Sequence, residues 1–279
     1  MDHDALNVAQ SAAYSGMVAL FPALIVASAV MGLLPDTAPI RYELAVFFDR
    51  VLPSDVSPLL ASYFSVTQHT ATSGRALVVS ALVSVGGASG VIATFMEGVR
   101  RAYDLPADCW SFWRRRVRAI ALVPMSLIPM GVASVLVVFG HYLSLWLAMH
   151  SMPRVRTLVY GVALVIRWTV SLTGSVGLIA LLYHMGTPLR QSWRRTLPGA
   201  VLATLMWFVA TLGFGWYVTR YANYSRVYGS LGAGIALLFW LYLISLSVLY
   251  GAEFNAEFAR FREGRNGDVA KAGGASCAV

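Results

Sequence analysis

The stretch VYGSLGAGIALLFWLYLISLSVLYGAEFNAEF, Val227 to Phe258, decides the class of this chain. From Gly229 to Ala252 it contains no charged side chain. At about 1.5 Å of rise per residue that run makes a helix about 36 Å long, more than the roughly 30 Å hydrocarbon layer of a bilayer. Glu253, Asn255 and Glu257 follow directly at one end. The pattern predicts a membrane helix whose polar groups sit at headgroup depth.

Outward from this stretch the same pattern recurs. Apolar runs at 8–34, 75–95, 119–148, 158–182, 198–218 and 229–256 predict six spans in one all-α polytopic transmembrane bundle covering 1–265. Of the 279 residues, 58% are hydrophobic and 12% charged, whereas a soluble domain carries about 25% charged residues, so too little polar surface remains to face water. Between the first two spans, Tyr42 to Val51 and Val56 to Val66 have helical spacing but are too short to cross. They predict short external amphipathic helices. The first run lacks a basic leader and is read as a retained span. The tail at 266–279 is rich in Gly and Ala without periodicity and is expected to be a disordered cytoplasmic segment.

Charge supplies an orientation. The chain has 21 Lys+Arg against 13 Asp+Glu, and twenty of those bases are arginine. Arg114, Arg115, Arg116 and Arg118, with Arg100 and Arg101, crowd the segment Glu97 to Arg118 beside Trp110 and Trp113, which reads as a cytoplasmic loop. With six spans, thirteen bases fall inside and seven outside, and both termini are expected in the cytoplasm. Arginines at span ends meet lipid first, so anionic headgroups at the cytoplasmic face are the expected partner and nucleic acid is not.

Three motifs stand in order near the C-terminus: Tyr224 to Gly232 (YSRVYGSLG), Leu238 to Tyr242 (LFWLY) and Gly251 to Glu257 (GAEFNAE). Ala13-Tyr14 through Phe21-Pro22, Arg167-Trp168 and Leu197-Pro198-Gly199-Ala200 accompany them. On these motifs the chain resembles the BrkB/YihY family of bacterial inner-membrane proteins, historically also labelled ribonuclease BN. The resemblance covers nearly the whole transmembrane core. It implies a six-helix fold in the bacterial inner membrane and a virulence-factor-like or transport role with no settled substrate. Arg100 departs from the pattern, because the family favours Asn there.

Arg167 is the sharpest single candidate. A charge at a helix centre costs about 2.5–3.5 kcal/mol on insertion scales, so it predicts a polar core contact or an anionic-substrate contact. Tyr14, Trp240, Glu253, Asn255 and Glu257 are the other candidates for a polar core or binding site. Glu253 and Glu257 are four apart and share a helix face, whereas Asn255 points elsewhere. For each, helix packing or pairing with inner arginines competes with a relay or substrate role. Pro22 reads as a packing kink or a hinge, Gly86 and Gly90 as a GxxxG packing pair, and Gly229 and Gly232 as close-approach or hinge positions. Small-residue spacings of this kind also permit a homo-oligomer.

Nothing in the sequence suggests hydrolysis. His3, His69, His141, His150 and His184 form neither HxH nor HExxH, and Cys109 and Cys277 make no CxxC pair. GxSxG and Walker motifs are absent. No metal, no cofactor and no enzymatic activity are expected, and ribonuclease activity in particular is not. The leading expectation is transport of a small or amphipathic anionic solute. The alternative is an envelope-organising scaffold that binds anionic lipid or a partner through its basic face.

Overall fold

A helical backbone satisfies its own hydrogen bonds, which is the requirement hydrocarbon imposes. The computed structural model describes residues 4–33, 74–127, 156–189, 192–220 and 230–265, and its long elements are all helices. They are α1 (Ala5–Leu33), α2 (Gly74–Ala102), α3 (112–127), α4 (Arg156–Gly186), α5 (Trp193–Arg220) and α6 (Ser230–Arg265). A short 3-10 turn, Ala107–Cys109, joins α2 to α3. The expected external helices, the tail, Gly229 and the third span beyond 127 lie outside the described residues.

Among the described residues, four helices are long and apolar enough to cross a membrane, rather than the six expected: Val78–Ala102, Leu158–Gly186, Trp193–Val218 and Gly234–Arg262. The 29-residue α1 carries no charged side chain and runs through Pro22. This is an all-α bundle of long apolar helices, the architecture of a polytopic membrane protein. Its helices extend past the expected ends: α2 reaches Ala102 rather than 95, α3 begins at 112 and α6 continues to Arg265. Apolarity marks the hydrocarbon layer, whereas a helix continues into the headgroup layer, where arginine remains solvated. The segment read as a cytoplasmic loop, Glu97 to Arg118, is therefore mostly helix, interrupted only at 103–111.

Lipid tails are as apolar as leucine, so helices associate where small residues allow close backbone approach. Helix α1 packs along α2 and α5 along α6, while α6 also meets α1 and α4 leans on α5. On α1, Ala9, Ala12, Ala13 and Ala19 are buried at helical spacing. Opposite them, a Cβ placed on Gly87 would lie 2.7 Å from the Ala19 Cβ. Gly87 is thus the close-approach residue. The expected GxxxG pair is corrected here, because Gly86 faces open space and Gly90 makes only ordinary contact with Ser15 at 3.8 Å. A spacing motif identifies two positions on one helix face but cannot say which face the neighbour occupies.

Candidate functional site at the basic end

Helix α2 terminates in a way that gathers charge. Asp104 adopts φ 51°, the left-handed conformation that aspartate tolerates better than most side chains. Its N–H donates to Arg101 O at 2.9 Å and the Leu105 N–H donates to Arg100 O at 3.1 Å, the paired bonds of a Schellman stop. The last carbonyls still need donors. Arg260 of α6 donates to Ala102 O at 3.1 Å and also engages the Asp104 and Glu257 carboxylates. The end of α2 is thereby fastened to the end of α6.

One turn back, Glu97 accepts from three arginines. Arg100 grips it as a fork, Nη2 to Oε1 at 2.6 Å and Nε to Oε2 at 3.0 Å, and its third nitrogen, Nη1, donates to Leu105 O. Arg101 adds Nε to Oε1 at 3.1 Å, and Arg115 of α3 adds Nη1 to Oε2 at 3.0 Å. Arg101 also lies 3.6 Å from Asp4, just before α1. Beside this network is an open recess of about 430 Å³, lined by residues of α1, α2 and α3 with Asp4. Arg100 thus has a structural role: it ties Glu97 to the loop after α2.

A second polar junction joins α4, α5 and α6. Pro198 lies inside α5 and interrupts its backbone ladder. Buried Asn255 bonds the backbone on either side of it. Its Oδ1 accepts from the Gly199 N–H at 2.7 Å and its Nδ2 donates to Thr196 O at 2.9 Å, a pairing that fixes the amide orientation. Gly199 and Gly251 pack backbone on backbone. A Cβ on Gly251 would meet Gly199 O and the Tyr183 hydroxyl, each at 2.5 Å. That hydroxyl donates to Val248 O, and Tyr183 is only 2% exposed. The two sequence motifs LPGA and GAEFN are therefore opposite halves of one contact.

The remaining candidates separate clearly. Tyr14 is 68% exposed, so its expected place in a polar core is not where the structure puts it. Trp240 donates to Thr211 at 3.3 Å, which satisfies its indole across the α5–α6 interface. Glu257 is exposed beside Arg260, whereas Glu253 is half-buried and Asn255 is buried. Gly232 is buried in α6. Position 167 falls within α4, but the Arg167 side chain lies outside the described residues. Glu97 and Glu257 are bonded to other arginines. The basic face lies on α3, where Arg118 stacks 4.3 Å from the Trp110 ring centroid and Trp113 is largely exposed beside Arg114. Among the described residues no group of three His, Cys, Asp or Glu is arranged to hold a metal.

Sequence reasoning did not single out Tyr183, Gly199 or Gly251 for packing, nor the joining of Glu97 to Arg115. The usable signal was the proline-glycine pair at 198–199, because a helix that loses a backbone donor needs a partner elsewhere.

The arrangement has relatives. The family model described as Virulence factor BrkB matches residues 1–274. A ribonuclease-like protein of Bacillus subtilis (strain 168), YfkH, is 28% identical over 91% of this chain and 90% of its own length. A UPF0761 membrane protein of Tolumonas auensis is 29% identical over 94% of this chain and 84% of its own. Another, RSc1559 of Ralstonia nicotianae, is 27% identical over 92% of this chain but only 56% of its own. No solved structure matches. On the match of the family model over nearly its full length, the chain belongs to the BrkB family of membrane proteins.

Proposed function

We propose that this protein is a non-enzymatic inner-membrane transporter of a small or amphipathic anionic solute, with Arg167 on the pathway. The observation that carries the reading is one of position. Arg167 is the one Asp, Glu, Lys or Arg in the span Leu158–Gly186. It sits sixteen residues before Tyr183, about 24 Å along the helix from the packed end. A guanidinium at that depth requires a polar or hydrated surround, and its forked donors suit phosphate or carboxylate.

Six crossings with both termini cytoplasmic complete the proposal. Supporting it, the start of α1 and the ends of α2, α4 and α6 share the basic end with the starts of α3 and α5. An α4 of 31 residues begins at the opposite end, which supports a further crossing between 112 and 156. The excess of arginine makes the shared end the cytoplasmic one.

Flux into proteoliposomes tests the reading, with a fluorescent short-chain phosphatidylglycerol and a small fluorescent organic anion as probes. The wild-type protein accelerates entry of at least one, and Arg167→Ala lowers that rate at least tenfold with the melting temperature held. Unchanged flux in Arg167→Ala defeats the pathway.

The scaffold reading is favoured by one feature, the exposed Phe112 and Trp113 beside Arg114 on α3, which form a surface suited to anionic lipid or a partner. It expects charge reversal at Arg114, Arg116 and Arg118 to abolish function in cells while Arg167→Ala has no effect.

A further inference from the structure

The recess at the basic end is charge-balanced, and the order of its charges matters more than their sum. Its lining sets Asp4 and Glu97 against Arg101 and Arg115, with Ser11 and Thr94 as neutral polar groups. Arg101 lies 3.6 Å from Asp4 and 3.1 Å from Glu97, and Glu97 lies 3.0 Å from Arg115. The four therefore alternate in sign from the start of α1, across α2, to α3. Each inner member has an opposite charge on both sides, whereas each end member has one. Among the described residues, the Arg115 side chain hydrogen-bonds only to Glu97, through Nη1, so most of its five N–H donors remain to be used. At the other end, Asp4 meets Arg101 at the longest of the three distances and accepts from the Asn7 amide at Oδ1, which leaves acceptor sites on its carboxylate.

This order selects the ligand. A lone anion would gain Arg115 but meet the repulsion of Asp4, and a lone cation would meet the reverse. A zwitterion answers both ends and leaves the lining neutral. The volume, about 430 Å³, is that of a small-molecule site. Glu97 is five residues before the end of α2, about 7 Å along the helix, so the recess lies at headgroup level. Beyond it, Leu6, Tyr14 and Val18 present exposed apolar surface along α1.

We infer that this recess binds a zwitterion of the phosphoethanolamine type, with its ammonium on Asp4 and its phosphate on the unused edge of Arg115. The headgroup belongs either to a phospholipid, whose chains then lie along α1, or to a free glycerophosphodiester. The inference goes beyond the transport reading, because this ligand has no net charge and the recess does not include Arg167. Binding is measured without flux, so either reading can fail while the other stands.

The experiment is calorimetric titration of the full-length protein in detergent at pH 7. The probes are dioctanoyl phosphatidylethanolamine and glycerophosphoethanolamine. Dioctanoyl phosphatidylglycerol, which lacks the ammonium, and dioctanoylglycerol, which lacks the whole headgroup, are the controls. Phosphatidylethanolamine binds at least fivefold more tightly than phosphatidylglycerol, and dioctanoylglycerol does not bind. Binding of glycerophosphoethanolamine as well assigns the site to the headgroup alone, and its failure to bind assigns the site to a lipid. Asp4→Asn keeps a side chain that caps α1 and removes the charge. It weakens phosphatidylethanolamine at least fivefold and brings its affinity level with that of phosphatidylglycerol. Arg115→Gln weakens both phospholipids at least fivefold. These are low-end values, about 1 kcal/mol, because Asp4 and Arg115 are both partly exposed. Arg116→Gln removes the same charge from a position outside the lining and changes affinity less than twofold. Arg115→Lys keeps the charge but loses the fork, falls between wild type and Arg115→Gln, and serves if Arg115→Gln fails to fold. Equal wild-type affinity for the two phospholipids would overturn the site, as would an unchanged preference in Asp4→Asn. So would equal weakening by Arg115→Gln and Arg116→Gln, wild-type affinity in Arg115→Lys, binding of dioctanoylglycerol, or no binding of either ethanolamine probe.

Discussion

Helices α4 and α6 are both apolar enough to span a bilayer, yet only 6% of the most apolar part of the α4 span is buried against 44% in α6. Their glycines show why. A Cβ on Gly161 or Gly177 of α4 would meet nothing, whereas one on Gly251 of α6 would meet the backbone of Gly199 and the hydroxyl of Tyr183. Hydropathy places a helix in lipid and gives it no reason to choose a neighbour. Close backbone approach and satisfied polar groups make that choice, and both are concentrated at the basic end.

The comparison is broken most directly at Gly251. Gly251→Leu drives a branched side chain into two neighbouring helices and is expected to cost about 3 kcal/mol or more, read as loss of folded protein in detergent unfolding. Next is Asn255→Ala, which leaves the Gly199 N–H and Thr196 O without their side-chain partner in a buried setting. About 1–3 kcal/mol is expected, measured by the same unfolding curve. Glu97→Gln removes the charge and one of the two acceptor oxygens shared by three arginines that are themselves partly exposed. Its expected cost is smaller, about 1 kcal/mol, and it shrinks further as salt is raised. The smallest effect sharpens the comparison from the other side. Gly86→Ala and Gly161→Ala meet open space and stay within about 0.5 kcal/mol of wild type or gain slightly from helix propensity. By contrast, Gly87→Ala is destabilising, because Ala19 stands 2.7 Å from the added carbon.

How far the fold was legible follows from the same distinction. Apolar runs marked the helices α2, α4, α5 and α6 because desolvation acts on each segment alone. Their ends were missed by several residues, since the arginines of α2 and α6 continue the helix into the headgroup layer. The polar role of Asn255 was visible in outline, from its position at the end of an apolar run. Its partner at Gly199 was not, because that contact joins residues 56 apart and depends on which helices become neighbours. Tyr14 was misread for a related reason. A tyrosine in a span is equally compatible with a polar core and with an outward face, and only the placement of α2 against the alanines of α1 decides between them. Arg100 could be read as one of a run of bases, but its bonds to Glu97 and Leu105 depend on the turn at Asp104.

The central claim is that these helices cross a bilayer with the arginine-rich end in the cytoplasm. Side-specific labelling tests it most directly, in cells expressing Cys109→Ser, Cys277→Ser protein with one cysteine introduced in place of Trp113, Phe261 or Leu158. A membrane-impermeant thiol reagent is expected to reach position 158 from outside intact spheroplasts, and positions 113 and 261 only after the membrane is opened. Labelling of 113 and 261 from outside, or of all three positions from the same side, would contradict the account.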